Sequence, residues 1–135
     1  MESGRKLRAA GEILRLGGVD YRLESVEGRG GSAVVYRAVY EDELNRGCFH
    51  RLLVKELFPY DPRGMIYRGE AGEICCRPGA EERMEVCRRL FLQGNQVNLE
   101  LLARLPEEIS GNLNSYEAYG TFYSVLSVHG GRTLE

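Results

Sequence analysis

The chain has 135 residues, of which 43% are hydrophobic and 28% are charged, and its net charge is −2. This length suits one domain, and the composition is that of an ordinary globular protein. The slightly negative charge argues against a nucleic-acid-binding protein, because such proteins gain affinity by neutralising phosphates. We also expect no membrane partner, since no apolar run approaches the roughly 18 residues of a spanning helix and no secretory signal begins the chain.

The cysteines argue against a disulfide framework and against a metal site. There are four of them, at Cys48, Cys75, Cys76 and Cys87. An adjacent pair suits neither a small disulfide scaffold nor a CxxC zinc motif. We therefore predict reduced thiols, a cytoplasmic protein and no metal ligands.

Residues 1–18 are predicted to be a lead-in that is partly disordered or forms a short helix. Their apolar cluster, Ile13, Leu14 and Leu16, is followed by a break at Gly17-Gly18. Glu2 and Glu12 lie among the basic residues of this segment, and these basic residues are expected to be solvated: Arg5, Lys6, Arg8 and Arg15.

Three strands are predicted next, at 21–25, 34–40 and 49–57, from alternating or β-branched residues. Residues 63–79 contain the strand-like pieces "MIYR" and "EICCR", which predict a small hairpin insertion. Residues 80–105 have the spacing of a long helix, with Cys87 and Leu90 on its apolar stripe. Strands at 116–119 and 122–128 complete an α+β fold with a five-stranded antiparallel sheet and one main helix.

The segment "EGRGGSAVVYRA" places Gly28, Gly30 and Gly31 directly before a predicted strand. In dinucleotide-binding folds and P-loops a glycine loop begins a helix, but "VVYRAVY" is typical of a strand. Another design is a glycine-rich turn between two strands that covers nucleotide phosphates. A plain hairpin turn stays as the alternative for this motif alone.

Lys55 makes the nucleotide interpretation more specific. It lies within the apolar run "LLVKELF", one strand after the glycines. A lysine is costly to bury without a partner anion, although its stem could also extend over the sheet toward water. The order of glycine turn, strand and strand lysine favours a phosphate contact.

These parts together resemble the amino-terminal, ATP-binding lobe of the eukaryotic-type Ser/Thr protein kinases, including bacterial members. The resemblance covers residues 19–135 and rests on "EGRGGSAVVYRA", "LLVKELF", the long helix and "GTFYSVLSVHGGRTL". The last piece is similar to the fifth strand and inter-lobe hinge of the family. The resemblance implies that 19–135 is one such lobe, with the carboxy-terminal lobe absent.

ATP and Mg²⁺ are the cofactors that the resemblance implies, with the magnesium ligands in the missing lobe. Lys55 would contact the α- and β-phosphates, and Leu126 would close the back of the adenine pocket. The main chain of Ser127 and His129 would bind the adenine edge. The implied cofactor-binding residues are Gly28, Arg29, Gly30, Gly31, Ser32, Ala33, Val35, Leu53, Lys55, Leu126, Ser127 and His129.

The sequence departs from the kinase pattern at three places. Ala33 replaces the third glycine. Leu53 stands where the family usually has a small alanine above the adenine, and its larger side chain narrows the adenine pocket. The long helix should also carry a glutamate that pairs with Lys55. Helical spacing relative to the later leucines predicts Asn98 at this position, and Glu100 is the alternative if the helix register differs.

Two functions from different classes stay open. The chain is either the nucleotide-binding lobe of a Ser/Thr protein kinase, or a degenerate, pseudokinase-like lobe that binds a protein partner. No HRD- or DFG-type motif is present, so we expect no phosphate transfer by these 135 residues alone. Expected partners are ATP, a protein substrate of the full-length protein and a second copy of the chain, because an isolated lobe exposes apolar surface.

Overall fold

The computed structural model describes residues 6–102 and 113–127. These residues form two antiparallel sheets and one helix. The six-stranded sheet has the order β1-β2-β3-β4-β8-β7, and β5 pairs with β6 in a separate hairpin. The elements are β1 (Ile13–Leu16), β2 (Val19–Arg29), β3 (Ala33–Glu41), β4 (Phe49–Leu57), β5 (Ile66–Arg68), β6 (Ile74–Cys76), α1 (Glu81–Leu102), β7 (Leu113–Ala118) and β8 (Thr121–Ser127).

The predicted α+β lobe with a five-stranded sheet is wrong. The described fold is mostly β, because a sixth strand, β1, pairs antiparallel with the start of β2. The apolar cluster at 13–16 had suggested a helix, but Leu14 and Leu16 are buried while Ile13 and Arg15 are exposed. This alternation is that of a strand, and the two glycines that follow make a hairpin turn instead of a simple break.

The six-stranded sheet is strongly curved, and its two edge strands approach each other. The Arg15 amide in β1 donates a hydrogen bond of 3.1 Å to the Tyr119 hydroxyl beyond β7. The ring of Tyr116 in β7 lies directly against Gly17, where a side chain would collide with it. The sheet is therefore nearly closed and barrel-like.

Two apolar clusters hold the fold together. The first fills the concave, inner face of the sheet and includes Tyr36, Val54 and Tyr123, each at most 1% exposed. The second lies between the sheet, α1 and the β5–β6 hairpin, and includes Leu57 and Phe91. Burial of apolar surface in these clusters is the main stabilising term of such a fold.

The hairpin insertion predicted at 63–79 is confirmed as β5 and β6, and it is anchored to the β7–β8 turn. The Ile74 amide donates to the Tyr119 carbonyl at 2.8 Å. The Thr121 hydroxyl, buried beside them, donates to the Leu57 carbonyl at 2.7 Å. These bonds join the insertion, the end of β4 and the β7–β8 turn into one unit.

Candidate functional site

The outer face of the six-stranded sheet carries four of the residues that the sequence singled out. Val35 pairs with Lys55, and Lys55 pairs with Ser124. Two positions before Lys55 in β4, Leu53 pairs with Leu126. Side chains paired across neighbouring strands share a face, so Val35, Leu53, Lys55 and Leu126 lie on one side. We call this side the outer face, and it also includes Ser124. The residues that alternate with these along the strands fill the core on the inner face.

Lys55 is half-buried on the outer face and points toward α1. Its Nζ lies 5.5 Å from the centre of the Phe91 ring, a distance typical of a cation–π contact. Phe91 is only 6% exposed, so the ring is fixed by its packing. Within the described parts of the chain, no carboxylate forms an ion pair with Lys55.

The inward side of α1 differs from the predicted stripe. Leu90, predicted to be inward, is 60% exposed, whereas Phe91 and Met84 are buried. The stripe had been calculated from Leu101, eleven residues away, and a small error in the angle per residue accumulates over that distance. The side chains of Asn98 and Glu100 lie outside the described part of the helix, so their pairing with Lys55 stays a prediction.

The glycine turn (residues 28–33) is tied to the chain that follows β4. The Gly30 amide donates to the Ala33 carbonyl at 2.9 Å, which closes the turn. The carbonyls of Gly31 and Ser32 accept hydrogen bonds from the amides of Tyr60 (2.9 Å) and Phe58 (3.0 Å). The turn is therefore fastened on one side to the segment that directly follows the strand carrying Lys55. Arg29 lies at the end of β2, opposite Val34.

The three glycines of this turn border open space. A Cβ atom added at Gly28, Gly30 or Gly31 would meet nothing within 4 Å, and none of the three has the positive φ that favours glycine. The fold itself therefore does not require glycine at these positions. What glycine provides there is unobstructed access to the main chain from the adjoining space.

A cavity of about 160 Å³ borders Leu53. Four of its lining side chains are charged, namely Glu24, Glu27, Arg37 and Arg51. Its exposed lining surface is nevertheless mainly apolar, as in most ligand cavities. A larger cavity of about 550 Å³ lies near the opposite end of the strands, around Asp20 and Asp42, and its lining is mainly polar.

The residue after Lys55 is part of a buried charge network that the sequence analysis missed. Glu56 is 0% exposed and faces the inner side of the sheet. It accepts hydrogen bonds from Arg8 (3.0 Å) and Arg68 (2.7 and 3.0 Å), and from the hydroxyls of Tyr36 (3.2 Å) and Tyr123 (2.6 Å). The available signal was the pair of adjacent charges in "LLVKELF", which must face opposite sides of a strand.

Burial alone would raise the pKa of Glu56, but the hydrogen bonds and charge of Arg68, with Tyr123 and Arg8, hold it below its ordinary value. Burial and the neighbouring carboxylate raise the pKa of Tyr36 to about 12. The expectation that Arg8 is solvated is wrong: only 6% of this residue is exposed. A guanidinium pairs well with a buried carboxylate, because its donors form a planar fork.

The acidic residues that could bind a metal have structural partners. Asp61 accepts hydrogen bonds from the Met65 amide (2.8 Å) and Arg83 (3.0 Å). Burial would raise its pKa, but these interactions hold the pKa below its ordinary value. Asp20 pairs with Arg15 at 2.8 Å. Across residues 6–102 and 113–127, no three His, Cys, Asp or Glu residues are grouped as a metal site would require.

The predicted hinge is described only in part. Ser127 is the last residue of β8 and pairs with Leu52, directly beside the pair Leu53 and Leu126. His129 lies outside the described residues. No helix among the described residues is long and apolar enough to cross a membrane.

Comparison with known proteins gives one informative likeness. No family model matches the chain, and no curated protein matches it. A solved structure, the apo form of PpkA-294, is similar with a TM-score of 0.62 and 22% sequence identity over 90% of this chain. PpkA-294 is a fragment of a bacterial Ser/Thr kinase. The chain shares the fold of this structure over most of its length. It spans 38% of the structure that it matches.

Proposed function

We propose that this chain is the ATP-binding part of a Ser/Thr protein kinase. The observation that carries the proposal is Lys55, a half-buried residue of the outer face that has no carboxylate partner among the described residues. A cation in such a position is stabilised by a ligand anion. The glycine turn joins β2 to β3, two strands from β8 in the sheet, and it borders open space. A loop that covers nucleotide phosphates needs such space.

ATP would be held by residues that share the outer face. The triphosphate would lie between Lys55 and the main chain of the glycine turn, where phosphate oxygens accept from backbone amides. Adenine would contact Val35, Leu53 and Leu126, with the main chain of Ser127 and His129 at its edge. The described acidic residues do not fit a magnesium site, so the ligands of Mg²⁺ would come from another part of the full protein.

When Mg²⁺ is bound, it would supply charge neutralisation for phosphate transfer. The residues of this chain would bind and orient the nucleotide. We expect the 135 residues alone not to transfer phosphate to a protein substrate, since a base near the acceptor hydroxyl is also required.

A protein-binding, pseudokinase-like role is the second candidate. The position of Leu53 on the outer face favours it, because a leucine narrows the space that adenine would occupy. Exposed apolar residues on α1, including Val86 and Leu90 one turn apart, would contribute to a docking surface or to a homo-oligomer. Folded wild-type protein that fails to bind Mg-ATP would support this role and contradict the first.

Replacement of Lys55 by methionine tests the nucleotide proposal. The variant keeps most of the apolar stem and removes the charge, so we expect Mg-ATP affinity to fall roughly tenfold or more, the usual effect of losing a charged hydrogen bond. Isothermal titration calorimetry measures this change. Lys6→Met is the matched control, because Lys6 is the other lysine of the chain and is exposed. Equal affinities in wild type and Lys55→Met would refute the assigned role.

Alanine at Gly30 or Gly31 tests whether the glycine turn contacts the ligand. We expect stability to stay the same or rise slightly, because neither position has a positive φ or a close neighbour and alanine reduces the freedom of the unfolded chain. Mg-ATP affinity should nevertheless fall, since a methyl group would enter the space beside the main chain. Urea unfolding and calorimetry measure the two effects separately. An unchanged affinity would indicate that the turn is only a hairpin connection.

A further inference from the structure

We infer that the ring of Phe91 positions the Lys55 ammonium, in the place of the helix carboxylate that the kinase resemblance implies. The inference concerns the same site as the proposed function, and its ligand-binding consequence rests on that proposal. The contact between ring and ammonium, however, is tested without any nucleotide. Phe91 is thus assigned as a positioning residue that acts through Lys55.

The geometry of the contact is specific. The Lys55 Nζ lies 5.5 Å from the ring centre, within the roughly 6 Å over which the face of a ring attracts a cation. Phe91 packs in the second apolar cluster with Leu57 and is almost fully buried. Lys55 is on the adjoining strand β4, whose outer face is turned toward α1. Both partners are therefore held by the packing around them.

The described acidic residues close to β4 in sequence are engaged elsewhere. Glu56 faces the inner side of the sheet and is bonded to Arg8 and Arg68. Asp61 is bonded to Arg83. The polar neighbour of Lys55 across the strands is Ser124, whose buried Oγ has no partner in the described structure. Among the described residues, the neighbours that the structure gives for the ammonium side of Lys55 are thus an aromatic ring and a hydroxyl, both uncharged.

This arrangement has a chemical consequence. A carboxylate neutralises a lysine and competes with a phosphate for its protons, whereas a ring attracts the ammonium without neutralising it and leaves N–H donors that point away from the ring available. Lys55 would then be oriented toward the outer face with its full charge directed at an anion.

Proton NMR tests the contact directly in the wild-type protein. Lys6 and Lys55 are the two lysines of the chain, so their side-chain Hε signals are readily distinguished after ¹³C labelling. We expect Lys55 Hε signals upfield of those of Lys6, because they lie over the ring face, and a nuclear Overhauser effect to the Phe91 ring protons. Lys55 signals at the Lys6 position with no Overhauser effect would overturn the inference, whether or not ATP binds.

Two variants separate positioning from packing. Phe91→Leu removes the ring and keeps an apolar side chain, so Lys55 Hε should move to the Lys6 position and the Kd for Mg-ATP should rise about 3–10-fold. Phe91→Tyr keeps the ring and should restore the upfield shift and most of the affinity. An affinity in Phe91→Leu equal to that of wild type would overturn the positioning role. If wild type binds no Mg-ATP but shows the ring shift, the proposed function fails and the contact between Phe91 and Lys55 stands.

Discussion

Replacement of Glu56 by glutamine is expected to lower the free energy of unfolding by about 3–5 kcal/mol, the usual cost of breaking a buried ion pair from one side. Glu56 is the anion between Arg8 and Arg68, whose side chains are 3% and 4% exposed. Without its charge, the buried guanidinium of Arg68 would lose its carboxylate partner, and that of Arg8 would keep only Glu12 among the described residues. This loss is a large part of the roughly 5–15 kcal/mol that stabilise a typical domain.

Urea unfolding followed by far-ultraviolet circular dichroism measures this effect. Glu27→Gln is the matched control, because Glu27 pairs with Arg37 on the surface, where both side chains are largely exposed. We expect no measurable change in that control, since exposed ion pairs contribute little. Tyr123→Phe removes one hydrogen bond to Glu56 and keeps the charge, so its effect should be intermediate. Equal stabilities of Glu56→Gln and Glu27→Gln would contradict the assigned network.

The same network predicts how stability depends on pH. The pKa of Glu56 is lower in the folded protein than its ordinary value of 4.5. Its contribution is therefore fully present above about pH 4.5 and is lost as the pH falls through the folded pKa. In Glu56→Gln this part of the acid destabilisation should be absent. The free energy of unfolding, measured between pH 6 and pH 3, would therefore decline less steeply than in wild type.

Gly120→Ala is expected to lower the free energy of unfolding by roughly 2–4 kcal/mol, the sum of left-handed strain and overpacking. Gly120 has φ +72°, and a Cβ there would lie 2.6 Å from the Ile74 carbonyl oxygen. The obstacle is main chain, which moves less readily than a side chain. The substitution would therefore separate the β7–β8 turn from the hairpin insertion.

Gly64→Ala is the control for Gly120→Ala, because the two glycines have nearly the same φ. Gly64 has φ +71° and nothing within 4 Å of an added Cβ. It should therefore show the strain without the collision, a loss of about 1–2 kcal/mol. Thermal unfolding of both variants gives the difference between their losses of stability. If Gly120→Ala and Gly64→Ala were equally stable, the contact between the β7–β8 turn and β6 would not contribute.

Several elements were predictable because their signals are local. The third predicted strand coincides with β4, since its β-branched and apolar run is bounded by turn residues. The hairpin at 63–79 followed from two short strand-like pieces around Gly69 and Gly72. Lys55 was likewise predicted on the strand that follows the glycine turn and β3, whereas its register opposite Val35 comes from the structure.

Other features were missed for identifiable physical reasons. β1 was mistaken for a lead-in because a four-residue apolar cluster fits helix and strand equally, and its pairing with β2 decides between them. The inward side of α1 was misplaced because periodicity alone does not determine which neighbour a helix packs against. Leu90 and Phe91 are both apolar, and only contact with the sheet buries the second.

The amino-acid sequence by itself determined the strands around the glycine turn, the lysine on the following strand and the face that they share, because alternation and turn chemistry act over a few residues. The tertiary structure alone decided the partners of the charges. Arg8 reaches Glu56 across 48 positions and Tyr123 across 115 positions. The Phe91 ring meets Lys55 only because α1 packs on the outer face. Such contacts depend on how distant segments pack, and no local pattern encodes that arrangement.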